Sequence, residues 1–149
     1  MDMIHLPQDF KELLKLLNAN SVEYLLIGGY AVAYYGYPRA TADMDIWIAM
    51  NPDNSKKMVE VLKEFGFDIR ELSPELFLKD WQIIRMGVPP VRIEISTTIS
   101  GVNFDECYAE RVEDTLDGVK VKLISLKHLK LNKKAAGRYQ DFSDLENLP

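Results

Sequence analysis

Val22-Glu23-Tyr24-Leu25-Leu26-Ile27-Gly28-Gly29-Tyr30-Ala31-Val32-Ala33-Tyr34-Tyr35-Gly36 is where the chain declares its architecture. Val22 to Ile27 is a short apolar, β-leaning run that reads as a buried strand, ended by Gly28-Gly29 in a turn. Tyr30 to Tyr35 then offers a short helix, closed by Gly36 and Pro38. Upstream, Phe10, Leu13, Leu14 and Leu17 recur at helical spacing, which predicts a helix over roughly 9–19 with Asp9 as its cap. Downstream, Asp43 to Met50 reads as a second strand. Asn51-Pro52-Asp53 opens a helix with Met58, Val59, Leu62 and Phe65 on one side and Gly66 as its stop.

The remaining chain keeps alternating. Ile69 begins a short strand and Pro74 to Lys79 makes a helical turn. Trp81–Met86 and Val91–Ser96 read as strands joined by a hairpin connection, Gly87-Val88-Pro89-Pro90. Phe104 to Arg111 is a short helix, and Asp117-Gly118 marks a tight turn before a strand at Val119–Ile124. A helix from Ser125 to Gly137 and a last one near Asp141–Leu148 finish the pattern. The expectation is an α/β (α+β) fold: one domain over residues 1–149, with a mixed β-sheet and helices packed on it.

Bulk properties narrow the functional classes. The 149 residues suit one sizeable core, and 47% hydrophobic with 28% charged is ordinary for a globular domain. No apolar run approaches the roughly 18 residues that span a membrane, so no membrane partner is expected. The first residues lack the basic and apolar pattern of a signal peptide, which makes the cytoplasm the expected compartment. Cys107 is the only cysteine, and His5 and His128 lie far apart, which excludes an internal disulfide and any zinc-type spacing. A net charge of −5 argues against nucleic-acid binding by the whole surface. Residues 119–138 nevertheless hold Lys120, Lys122, Lys127, Lys130, Lys133, Lys134 and Arg138 and no acid. That run is either a solvated helix face or a local patch for phosphates.

Several residues carry potential chemistry. Asp43 and Asp45, two apart on a strand, share a face with Cα atoms about 6.5–7 Å apart. Met44, Ile46 and Ile48 point the other way, into a core. Paired carboxylates suit a hard divalent cation such as Mg²⁺, and a solvated strand end is the plainer alternative. Gly28-Gly29 lets the backbone approach a phosphate closely, or simply turns the chain from strand to helix. It fits neither the Walker pattern nor the dinucleotide fingerprint.

Glu94 shares a strand face with Arg92 and Ser96. It pairs with Arg92 or reaches a solvent edge, unless its strand lies beside Asp43–Met50, where it would complete a three-carboxylate cluster suited to two metals. Lys133 falls on the helical face of Leu126, Leu129 and Ala136. It either snorkels outward or holds a point charge against a triphosphate. Asp141 suits a helix N-cap, with Asp144 three residues on. Tyr34 is expected in the core, while Tyr35 and Tyr37 are left open between core and pocket.

Two segments together resemble a family. Gly28-Gly29-Tyr30-Ala31-Val32-Ala33-Tyr34-Tyr35-Gly36 followed by Arg39-Ala40-Thr41-Ala42-Asp43-Met44-Asp45-Ile46 resembles the signature of the DNA polymerase β-like nucleotidyltransferases, nearest to the small bacterial AbiEii/MenT-type branch. Leu131 to Leu145 is similar to the same branch. The resemblance implies a nucleotidyltransferase-like mixed sheet with helices on one side. Gly28 and Gly29 match a phosphate turn, with Arg39 and Thr41 in the stretch before the metal pair. Asp43 and Asp45 match ligands of Mg²⁺ (or Mn²⁺), and Glu94 stands at the third metal-binding and catalytic carboxylate. Lys133 matches a phosphate-contacting lysine, and Asp141 an acidic position near the nucleotide. Gly29 stands where many members have serine, Glu94 where aspartate is commoner, and the helical acceptor domain of larger relatives has little sequence left to form it.

The implied reaction moves a nucleoside monophosphate from an NTP to a hydroxyl acceptor that the sequence does not identify, whether RNA, protein or small molecule. A rival is a weak or inactive protein of the same fold that works as a protein-binding subunit of a toxin–antitoxin pair. A third reading is a resistance enzyme that nucleotidylates a small drug, although no segment identifies a drug pocket.

Overall fold

Strand β1 (Tyr24–Ile27) is buried along its whole length, and its alternating side chains enter two separate cores. Tyr24 and Leu26 face one, Leu25 and Ile27 the other, which places this strand in the interior of the sheet. The computed structural model describes residues 4–41, 43–88 and 91–149. Its further strands are β2 (Asp43–Ile48), β3 (Ile83–Met86), β4 (Arg92–Ser96), β5 (Val112–Leu116) and β6 (Val119–Leu123). They form one six-stranded sheet in the order β3-β4-β2-β1-β6-β5. β2 runs parallel to β4 and β1 parallel to β6, while β1–β2, β3–β4 and β5–β6 are antiparallel. The mixed sheet is as the sequence predicts.

Helices α1 (Gln8–Ala19) and α3 (Pro52–Phe65) cover the first face. Phe10, Leu13, Leu14 and Leu17 of α1 and Met58, Val61 and Leu62 of α3 are buried there against Met44, Ile46 and Ile48. Asn51 caps α3 by accepting the Asn54 N–H, and Gly66 ends it at φ 101°. The opposite face packs residues of α2 (Gly28–Tyr34), α4 (Phe104–Ala109) and α5 (Leu126–Ala136) around Trp47, with Leu148 following α6 (Tyr139–Asn147). Helices therefore cover both faces, not one. Among the described residues no helix is long and apolar enough to cross a membrane.

Several local expectations differ from the structure. Asp9 lies in the first turn of α1, and the cap position is Pro7. Ile69 begins no strand and is exposed. β5 is missing from the sequence reading: Glu113, Asp114 and Thr115 are exposed, so an edge strand carries no apolar alternation to reveal it. The turn at Asp117-Gly118 is a β5–β6 hairpin, with Asp117 at φ 49° and Gly118 at φ 81°. Strands β3 and β4 pair antiparallel as a hairpin would, but Pro89-Pro90 of the proposed connection lie outside the described residues. Asp141 is not the cap of α6. Arg138 holds that position, and the Asp141 carboxylate, three residues on, accepts its N–H at 3.0 Å.

Candidate active site

Parallel pairing of β2 with β4 sets Asp43 opposite Arg92 and Asp45 opposite Glu94. Met44, Ile46, Ile93 and Ile95 are drawn into the first core, so the two aspartates and Glu94 must share the other face. They line a cavity of about 610 Å³ together with Gly28, Gly29, Arg39, Thr41, Lys133, Arg138 and Asp141. Asp43, Asp45, Glu94, Gly28, Gly29, Arg39, Thr41, Lys133 and Asp141, picked out from the sequence, thus border one cavity. Glu94 joins the aspartates because its strand does lie beside β2.

The glycines fit this cavity by having no side chain. Gly28 sits at φ 69°, and a Cβ there would come within 2.1 Å of the Asp45 carboxylate. A Cβ at Gly29 would come within 2.6 Å of the Thr41 hydroxyl, which donates to the Asp43 carbonyl at 3.2 Å. Both glycines belong to the first turn of α2, so the turn and the helix are one element.

Charge is distributed unevenly. Arg92 donates two hydrogen bonds to Asp43, both at 2.9 Å, and its guanidinium lies 3.7 Å from Glu94. Arg85 of β3 donates to Glu94 at 3.1 Å. Among the described residues no cation pairs with Asp45. Burial, with the Glu94 and Asp43 carboxylates beside it, pushes Asp45 up to about 7 despite the opposing pull of Lys133. A buried carboxylate crowded by two others is the oxygen-rich, charge-deficient setting that a hard divalent cation suits. Among the described residues, however, no three acids already stand in metal-ligand array, since Asp43 and Glu94 are turned toward arginines.

Lys133 does not snorkel. It is 4% exposed and sits 3.2 Å from Asp141 and 3.1 Å from Asp144. Asp144, fully buried, accepts two hydrogen bonds from Arg39 at 2.7 and 2.9 Å. Asp141 accepts from the Arg138 guanidinium at 2.7 Å. Burial opposes ionisation of both acids, but Arg138 and Lys133 outweigh it at Asp141, and Arg39, Gln140 and Lys133 outweigh it at Asp144. Both carboxyls end below the usual range. The bidentate clasp of Arg39 by Asp144 and that of Asp43 by Arg92 were not read from the sequence, because such pairings depend on tertiary approach.

The basic run 119–138 does not form one patch. Lys122 is drawn to the Val22 carbonyl and the Tyr108 hydroxyl, Lys130 reaches the Pro149 carbonyl, and Lys133 and Arg138 line the cavity. Tyr34 packs half-buried against the first core and donates to Asp114 at 2.6 Å. Tyr35 is also half-buried and donates to the Ile124 carbonyl at 2.6 Å.

Comparison with known proteins bears on the fold and the family. No curated protein sequence matches the chain significantly. The fold resembles a nucleotidyltransferase of Thermotoga maritima described as putative in its crystal structure (TM-score 0.63, 14% identity, 92% of this chain and 88% of that one). It also resembles the lincomycin-bound lincosamide antibiotic adenylyltransferase LnuA (TM-score 0.56, 16% identity, 95% of each chain). A third similar structure is an antigenic nucleotidyltransferase-like protein of Paracoccidioides brasiliensis (TM-score 0.55, 20% identity, 93% and 71%). These likenesses establish the fold. The sequence profile of aminoglycoside-2''-adenylyltransferases matches residues 9–148. The nucleotidyltransferase resemblance therefore holds, but the family matched is not the AbiEii/MenT branch. With nearly the whole chain covered by that profile, the protein belongs to the aminoglycoside-2''-adenylyltransferase family and is a nucleotidyltransferase.

Proposed function

We propose that this chain transfers a nucleoside monophosphate from an Mg²⁺-bound NTP to a hydroxyl of a small-molecule acceptor, releasing pyrophosphate. The observation that carries the reading is the register of β2 against β4, which sets Asp45 beside Glu94 directly under Gly28. The backbone at Gly28 and Gly29 has room to hold the β- and γ-phosphates, while Arg39, Lys133 and Arg138 supply positive charge around them. Asp141 and Asp144 keep those cations in place, so Asp141 acts on the nucleotide through Lys133 and Arg138.

Asp43, Asp45 and Glu94 would hold the divalent ion, Mg²⁺ or Mn²⁺, with Asp43 and Glu94 loosened from Arg92 and Arg85. When bound, that ion offsets charge at the α-phosphate. Glu94 takes the proton of the acceptor hydroxyl. The acceptor class follows the family, whose name specifies an aminoglycoside, and the lincosamide enzyme of similar fold.

The test is transfer of an α-phosphate label from each NTP to a panel of hydroxylated small molecules, RNA and proteins. Label on a small molecule, lost in Asp43→Ala and Asp45→Ala, is the expected result. Label on RNA or protein alone would overturn the small-molecule acceptor. Transfer that survives both substitutions would sink the site assignment.

A further inference from the structure

Beyond Glu94 the cavity continues to a wall that the reaction so far leaves without a task. Trp81, Ile83 and Arg85 follow one another at period two toward and along β3, and all three line the cavity. Trp81 is 64% exposed and Ile83 45% exposed, whereas the intervening Ile84 is buried. Trp81 also holds φ 58°, a conformation that a bulky side chain rarely takes. The contact that helps keep it there also brings a carboxylate to the wall. The Thr98 hydroxyl, itself on the cavity lining, accepts the Trp81 N–H at 3.0 Å and donates to Asp80 Oδ1 at 3.3 Å. Asp80 is exposed and forms no ion pair among the described residues. A large aromatic ring and an unspent negative charge are thus held side by side by one threonine.

In-line chemistry decides what lies against them. Attack at the α-phosphorus forms a bond from the acceptor oxygen as the bond to the pyrophosphate oxygen breaks on the opposite side. Pyrophosphate departs on the Gly28–Gly29 side, in the line of β1, and the attacking oxygen must come from the other side. Sheet order β3-β4-β2-β1 makes that side Glu94 and then the Trp81 wall. The acceptor hydroxyl gives its proton to Glu94, and its carbon skeleton extends over β3.

Charge defines the skeleton. Deeper in the cavity, Asp43, Glu94 and Asp141 are each held by a cation, and Asp45 stands at the metal position. Asp80 is the carboxylate left to receive a positive group that arrives with the acceptor. The indole beside it takes the apolar face of a ring and also attracts a cation to its own face. The net charge of −5 draws a cationic acceptor toward the molecule. Building on the nucleotidyl-transfer reading, we infer that Trp81 and Asp80 form the acceptor subsite, the indole stacking on a sugar ring and the carboxylate pairing with an ammonium group on it.

Intrinsic fluorescence and calorimetry can read this directly. Trp47 is 2% exposed, so a ligand-induced change in tryptophan emission reports Trp81. Kanamycin A serves as the cationic probe. Its tetra-N-acetyl derivative, with the same rings and hydroxyls but no ammonium, is the neutral counterpart. Both are titrated with Mg²⁺ and α,β-methylene-ATP present, so that no transfer occurs. Kanamycin should shift Trp81 emission saturably, and the acetylated probe should bind more weakly. Trp81→Ala should weaken kanamycin binding about tenfold, and Trp81→Phe should restore it. Asp80 is exposed, so Asp80→Asn should cost only about threefold to fivefold. That variant should also flatten the salt dependence of kanamycin binding, leave the acetylated probe unaffected, and be rescued by Asp80→Glu. Nucleotide affinity should stay within about twofold in every variant.

Four results would overturn the inference. They are no saturable shift with kanamycin, equal affinity for the acetylated probe, an unchanged kanamycin affinity and salt slope in Asp80→Asn, or a tenfold loss of nucleotide affinity in Trp81→Ala, which would make the wall a base platform. If nucleotide binding proves independent of Mg²⁺ while kanamycin still depends on Trp81 and Asp80, the subsite stands and the nucleotidyl-transfer reading alone falls.

Discussion

The cavity is bordered by two groups of acids that differ in what surrounds them. Asp141 and Asp144, on α6, are fully buried and answered by Arg39, Lys133 and Arg138. Asp45, in β2, is flanked by Glu94 and Asp43 and forms no ion pair among the described residues. The first group is held ionised by partners within the fold, and the second is pushed up to about 7 by burial and by the Glu94 and Asp43 carboxylates, more than Lys133 can offset. Burial is common to both. The counter-charge is what separates an acid that supports the structure from one that awaits a ligand.

The largest effect expected from this contrast is on activity. Asp45→Asn should lower kcat on the order of 10³-fold, as loss of a central electrostatic group does. The same variant, without metal, should be more stable than the parent at pH 8, by about 1–3 kcal/mol, because a penalised buried charge is gone. Urea midpoints would measure this, and a loss of stability would erase the distinction between the two groups. Asp144→Asn should behave in the opposite way, losing about 3 kcal/mol of stability by leaving Arg39 and Lys133 under-compensated.

The pH dependence has two signs. Asp45 has a raised folded pKa, so its stabilising contribution is complete below the ordinary carboxylate value and is lost as pH rises through about 7. Asp141 and Asp144 have lowered folded values, so theirs is present above the ordinary value and lost as pH falls through the folded one. Metal-free protein should therefore weaken between roughly pH 4 and 8, a slope absent from Asp45→Asn and flattened by Mg²⁺ or Mn²⁺. Denaturant titrations across that range would reveal a flat parental profile if the contrast is wrong. The smallest effect belongs to Arg85→Ala. Its guanidinium is 57% exposed, so breaking the Glu94 pair should change the urea midpoint by less than about 0.5 kcal/mol.

Much of this arrangement can be read from local pattern. Alternation in Asp43–Ile48 and Arg92–Ser96 puts the three acids on one face, and Asn51-Pro52 and Gly66 bracket α3 for local reasons. What escaped the sequence depends on distant partners. Lys133 looks like a free charge until α6 brings two carboxylates to it, and Asp141 looks like a cap until Arg138 takes that place. β5 has too few buried residues to show a period, and Trp81 looks like an ordinary strand residue until its φ is seen.

Gly29 and Thr41 constrain one another across the turn. A serine at position 29 would place its Cβ 2.6 Å from the Thr41 hydroxyl. With this backbone, position 29 can carry a side chain only if the one at position 41 moves or shrinks, so the width of the phosphate turn is set from outside it, by a residue on the segment leading into β2.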